Sequence, residues 1–123
     1  MASAVLGRTH WDVTAATRAA AEGVRERFGG SWNSYVGHGL HPALGESRTV
    51  DHWGRGGRGV PLDEHVGDAI VGWILGQHQI IPVKILIWWS YMWLPGVGWR
   101  PYDGFQGNHG PGKDAHIHVG YAR

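Results

Sequence analysis

The run VKILIW, Val83 to Trp88, entered through Pro82 and continuing into WSYMW, restricts the fold more than any other stretch of this chain. Val83, Ile85 and Ile87 alternate with Lys84, Leu86 and Trp88, and nearly all of them are apolar, so a strand made from them needs cover on both faces. Proline is tolerated at its start, where no ladder hydrogen bond is required of it. The stretch is therefore expected to form a central strand, with other strands beside it and helices packed on a face.

Two segments have helical spacing. Val13, Ala16, Ala20, Val24 and Phe28 recur at intervals of three and four and stop at Gly29-Gly30, where a left-handed cap ends a helix; Asp12 or Thr14 caps its start. A second helix is expected over 62–76, with Asp63 and Glu64 in its first turn and an apolar stripe of Val66, Ile70, Trp73 and Ile74. Strands are expected at SWNSYVG (31–37), RTVDHW (48–53) and the terminal AHIHVGY (115–121). The Gly- and Pro-rich stretch 94–112 reads as an ordered aromatic loop walling a cleft. The fold class that follows is α+β: a small, mostly antiparallel sheet with two main helices, in one domain over 1–123.

Chemistry concentrates in the terminal strand. His116 and His118 alternate with Ile117 and Val119, so one face of the strand carries both imidazoles. Neutral imidazole is the commonest protein ligand for zinc and the usual general base. In RTVDHW, Thr49, Asp51 and Trp53 share a face, and an aspartate in a strand is out of place by propensity unless it caps a turn or binds something. A catalytic zinc keeps about three protein ligands and an open position. Asp51, His118 and one of His38 or His41 would supply them from neighbouring strands. The chain contains no cysteine, which excludes disulfides and thiolate sites, and no HExxH, which excludes the commonest helical zinc-protease arrangement. His65 and His78 are read as surface residues. GRGGRG at 54–59 matches GxGxxG in form, but no βαβ unit follows, so a dinucleotide site is rejected and its arginines are left to solvent or an anion.

A formal charge of +1 argues against a dedicated nucleic-acid binder. No stretch is long and apolar enough to span a bilayer, and the start, MASAVLGRTHWD, has no signal-peptide pattern, so a product made in the cytoplasm without membrane insertion is expected. Eight tryptophans and nine histidines suit a core plus an aromatic groove for sugar or peptide.

The order of a histidine, an aspartate shortly after it, and HxH near the C-terminus resembles the zinc peptidase superfamily of lysostaphin, D-Ala-D-Ala carboxypeptidases and hedgehog-type domains. YVGHG, RTVDHWGRGGRG, ILIWWSYMW, GWRPYDG and HIHVGY, in that order from Tyr35 to Tyr121, are similar to peptidase domains of actinobacterial cell-wall enzymes and phage endolysins. The resemblance implies a zinc-dependent peptidoglycan peptidase, with Asp51 and His118 as ligands and His116 as the assisting catalytic histidine. The upstream ligand stays open between His41 and His38, since Leu44 occupies the slot where the carboxypeptidases carry their histidine. Related domains place an acid directly before the first histidine of the pair. Here Ala115 intervenes, and Asp114, on the face of His116 and His118, is the candidate base or orienting residue.

Arg48, Trp89, Tyr102 and His109 are the candidate substrate-binding residues: Arg48, or alternatively Arg55 or Arg58, for stem-peptide carboxylates, the two aromatic residues as core or cleft wall, and His109 for the oxyanion. Bacterial peptidoglycan is the expected partner, reached after release from the cytoplasm, and the protein is expected to be a monomer, either standing alone or as the N-terminal domain of a larger lysin. The competing expectation is a non-catalytic cell-wall-binding module with an aromatic groove for glycan or peptide. A glycosidase is disfavoured, because no pair of acids is placed to flank a glycosidic bond.

Overall fold

The computed structural model describes residues 15–36, 48–102 and 115–121. Their elements, in chain order, are α1 (Ala15–Phe28), β1 (Ser31–Val36), β2 (Arg48–Trp53), α2 (Glu64–Gly76), β3 (Val83–Trp88), β4 (Tyr91–Leu94), β5 (Gly98–Pro101) and β6 (Ile117–Tyr121). The strands form one antiparallel sheet in the order β1-β2-β6-β3-β4-β5. The fold is thus α+β, as expected, with β3 and β6 in the middle. Among the described residues no helix is long and apolar enough to cross a membrane.

The sheet has two unlike faces, and strand alternation assigns them. Val50, Ile117, Val119, Tyr121, Leu86 and Trp88 point to the side where Ala20, Ala21 and Val24 of α1 and Ile70, Val71 and Ile74 of α2 complete the main core. Ile85, Ile87 and Tyr102 form a smaller apolar cluster, joined by Met92 and Leu94. A register shift between Val83 and Ile85 lets Val83 join the main core although it is an even number of residues from Ile85 and Ile87.

Glycines set how closely the helices lie. A Cβ on Gly67 would sit 2.0 Å from Cζ2 of Trp88, and one on Gly23 would sit 2.7 Å from Cη2 of Trp73. The first contact seats α2 on the sheet and the second seats α2 against α1. This shifts the buried stripe of α2 from the expected one: Gly67, Ile70, Val71 and Ile74 are buried, whereas Val66 is 39% exposed and Trp73 is half-buried under the Arg27 guanidinium. Asp63 is the N-cap, its carboxylate accepting from the N–H groups of His65 and Val66 at 3.0 and 3.2 Å.

Three other expectations need correcting or placing. Residues 94–112 are not loop throughout: a turn at 95–97, with Gly96 at φ +77°, reverses the chain and Gly98–Pro101 adds β5 as an edge strand. His78 is half-buried, and its Nδ1 accepts the N–H of Val83 at 2.9 Å just before the central strand, while its ring meets Trp93 edge-on. The expected caps Asp12 and Thr14 lie outside the described residues, and α1 begins at Ala15.

His52 lies on the helix-facing side and is 1% exposed, with Nε2 lacking a hydrogen-bond partner. Burial lowers its pKa from 6.5 to about 4, against the opposing pull of Asp51. The folded protein therefore holds His52 neutral where the unfolded chain would protonate it. This contribution to stability is complete above pH 6.5 and is lost as the pH falls towards 4, amounting to about 3 kcal/mol. In urea unfolding, wild type is expected to lose this stability between pH 7 and 4 and His52→Leu to keep it. Gly67→Ala is expected to destabilise by about 2 kcal/mol in the same assay, because the new methyl collides with the Trp88 ring and α2 must lift.

Candidate active site

The register of the sheet assembles the site. Asn33 pairs with Asp51, Asp51 with His118, His118 with Ile87, Ile87 with Met92 and Met92 with Arg100, so one row of residues crosses all six strands on the face away from the helices. Residues directly opposite in antiparallel strands share a face and lie about 5 Å apart at Cβ. Within this row, Nδ1 of His118 is 3.0 Å from Oδ1 of Asp51. His118 is fully buried and Asp51 is 6% exposed, so the pair is shielded from water, and beside it Ile87 belongs to the apolar cluster with Ile85 and Tyr102.

One register step along, Trp53 comes opposite His116. Their rings stack, with centroids 4.1 Å apart and planes inclined by 18°. Trp53 is held by its indole Nε1–H, which donates to Oδ1 of Asn33 at 2.7 Å. Nε2 of His116 stands 4.0 Å from Oδ2 of Asp51, beyond direct hydrogen-bond reach. Thus the two carboxylate oxygens face different histidines: one bonds His118 and the other looks towards His116.

Asp51 and His118 carry donor atoms of the types that zinc takes. Two ligand atoms of a tetrahedral zinc, each about 2.0–2.2 Å from it, lie roughly 3.3–3.6 Å apart. Asp51 Oδ1 and His118 Nδ1 are a few tenths of an ångström closer, so small side-chain movements would accommodate an ion between them. Among the described residues, no group of three or more His, Cys, Asp or Glu is arranged to hold a metal ion. His38 and His41, the candidates for the further ligand, lie outside the described residues, as do Asp114 and His109.

The structure brings Asp51, His116 and His118 together and leaves other expected site residues elsewhere. Arg48 opens β2, its backbone paired with Val36 and Tyr121. Tyr102 is buried in the cluster with Ile85 and Ile87, on the flank of the site. Trp89 lines a different cleft, of about 400 Å³, with Trp88, Tyr91, Trp99 and two residues of α2, Asp68 and Val71. It occupies the two-residue turn between β3 and β4, where Trp89 and Ser90 have φ of +54° and +70°, a turn usually made by Asn-Gly. Asn33 and Trp53 are the site residues that pattern reading did not assign. The signal for Trp53 was present, since it shares a face with Asp51; Asn33 required the pairing of β1 with β2.

Stacking on Trp53 places the His116 ring protons in the shielding region of the indole. In ¹H NMR they are expected upfield of ordinary histidine positions, to return to them in Trp53→Ala, and to stay partly shifted in Trp53→Phe. Comparison with protein-family models, with curated proteins and with solved structures finds no match to this chain.

Proposed function

We propose that this chain is a zinc-dependent peptidase that hydrolyses a peptide bond of bacterial peptidoglycan, in the stem peptide or the cross-bridge, in the manner of an endolysin. The observation that carries this reading is the buried Asp51–His118 contact of 3.0 Å with His116 stacked alongside it. A buried carboxylate between two imidazoles, on a sheet face with no described helix over it, is costly to maintain as packing and suits metal chemistry.

Asp51 and His118 would hold the ion, with His38 or His41 as a further ligand. Bound there, zinc would supply a Lewis acid and would lower the pKa of a water to about 7. The chain's own residues do the rest. His116 Nε2 takes a proton from the attacking water and returns it to the leaving amine, and the Trp53 ring fixes the plane in which it does so. Asp114 is the second candidate for this proton, while Arg48, Tyr102 and His109 remain candidates for contacts with the substrate.

A non-catalytic wall-binding module is the second reading. It is favoured by the cleft of Trp88, Trp89, Tyr91 and Trp99, in which Tyr91 and Trp99 are 51% and 47% exposed and offer flat apolar surfaces to a sugar ring.

The deciding experiment incubates purified peptidoglycan with wild type, His118→Ala and His116→Ala, measuring bound zinc and released peptides by mass. Wild type is expected to bind one zinc and release peptides, a reaction that stops with chelator and returns with zinc. His118→Ala is expected to lose both, and His116→Ala to keep zinc while cleaving about 10²-fold or more slowly. Undiminished cleavage by zinc-free His118→Ala would overturn the proposal, and binding without cleavage by zinc-loaded wild type would favour the wall-binding reading.

A further inference from the structure

At the β1 edge of the sheet lies a cleft of about 530 Å³. Its walls are the C-terminal half of α1 and the glycine-rich loop after β2, and Trp32 and Asn33 of β1 also line it. Arg25, Arg55 and Arg58 line it against a single acid, Glu22, which lies 3.5 Å from Arg25. The walls therefore carry an excess of positive charge in a chain whose overall charge is nearly balanced.

The loop carries two of these arginines, Arg55 and Arg58. Gly54 donates to the carbonyl of Val60 at 2.7 Å and Val60 to that of Gly57 at 3.0 Å, folding GRGGRG back on itself; Gly56, Gly57 and Gly59 all have positive φ. A Cβ on Gly29 would meet the Arg55 guanidinium at 2.7 Å, so Gly29 leaves the space in which that group lies, against the carbonyl end of α1. Asn33 ties the cleft to the site: it lines the cleft, pairs in register with Asp51, and accepts the Trp53 indole N–H. It is 5% exposed, and its Nδ2 has no hydrogen-bond partner.

From this arrangement we infer that the cleft is an anionic subsite that receives a carboxylate of the peptide substrate, a residue or more away from the bond held at Asp51 and His118. The inference deepens the peptidase reading and rests on it for the identity of the substrate. Arginine is suited to the task, since its planar fork grips a carboxylate through two parallel hydrogen bonds, and an amide in the same place offers only one neutral acceptor oxygen.

The test compares two synthetic stem peptides, one with a free α-carboxylate on its glutamyl residue and the other with a carboxamide there. Binding is followed by calorimetry and hydrolysis by mass. Wild type is expected to bind the carboxylate peptide about tenfold more tightly, and Arg55→Gln/Arg58→Gln to bind both alike. Both side chains are exposed, so the double variant should keep the wild-type melting temperature; Arg58→Glu, a single charge reversal, should favour the carboxamide. Equal binding of the two peptides by wild type, or a preference that survives in the double variant, overturns the subsite. Arginine-dependent preference without any hydrolysis, either of these peptides or of purified cross-linked peptidoglycan, upholds the subsite and defeats the peptidase reading, whereas hydrolysis with equal KM for both peptides does the reverse.

Discussion

The pairing of β2 with β6 is the constraint on which the rest of this structure depends. Asp51 stands opposite His118, and the same register continued by a step stacks Trp53 on His116. Because side chains alternate, that register also decides the core: Val50 and Val119 turn to the helices only while Asp51 and His118 turn away. Slipping the pairing by one residue would set a carboxylate against aliphatic side chains and bring valine to the row of the candidate site. The hydrophobic core and the polar site are thus two faces of one specification, and the burial of Val50, Ile117 and Val119 holds the site in place at a distance.

The helices contribute by staying on their own side. Gly67 and Gly23 let α2 and α1 settle closely against Trp88 and Trp73, and the main core forms there without claiming the row from Asn33 to Arg100. On the other face the described residues offer a small apolar cluster next to the buried Asp51–His118 pair. Such surroundings strengthen electrostatic interactions and limit rearrangement. Asp51, Trp53, His116 and His118 lie on or next to strands in the interior of the sheet, so their positions are set by ladder hydrogen bonds more firmly than a loop would allow.

Much of this was legible in the sequence because it depends on periodicity. The central strand, both helices, the strands bearing Asp51 and His118, and the shared face of Asp51 with Trp53 all follow from spacings of two or of three and four. What pattern alone missed depends on contacts between distant segments. β5 was hidden by glycine and proline, which signal turns and also bound very short edge strands. The stripe on α2 was displaced because a glycine, invisible to a count of apolar residues, marks the closest approach to the sheet. His78 looked like a surface residue, yet it accepts a hydrogen bond at the entrance to β3. Asn33 could be recognised only once β1 was known to lie beside β2. The resemblance to wall-directed peptidases named Asp51, His116 and His118, and the geometry that unites them is a separate observation from that likeness.

The position of β6 carries a consequence for how this sheet is made. It follows all the other described strands along the chain, yet it sits between β2 and β3. Until it arrives, the sheet is two separate pieces, a β1-β2 ribbon and a β3-β4-β5 meander, each with an open edge where β6 will dock. Closing that gap requires contacts between residues far apart in sequence, which slows folding and leaves two sticky edges in the meantime. The same insertion brings His118 to Asp51 and His116 to Trp53. Zipping up the sheet and completing the candidate site are therefore a single event, and a partly folded chain has neither.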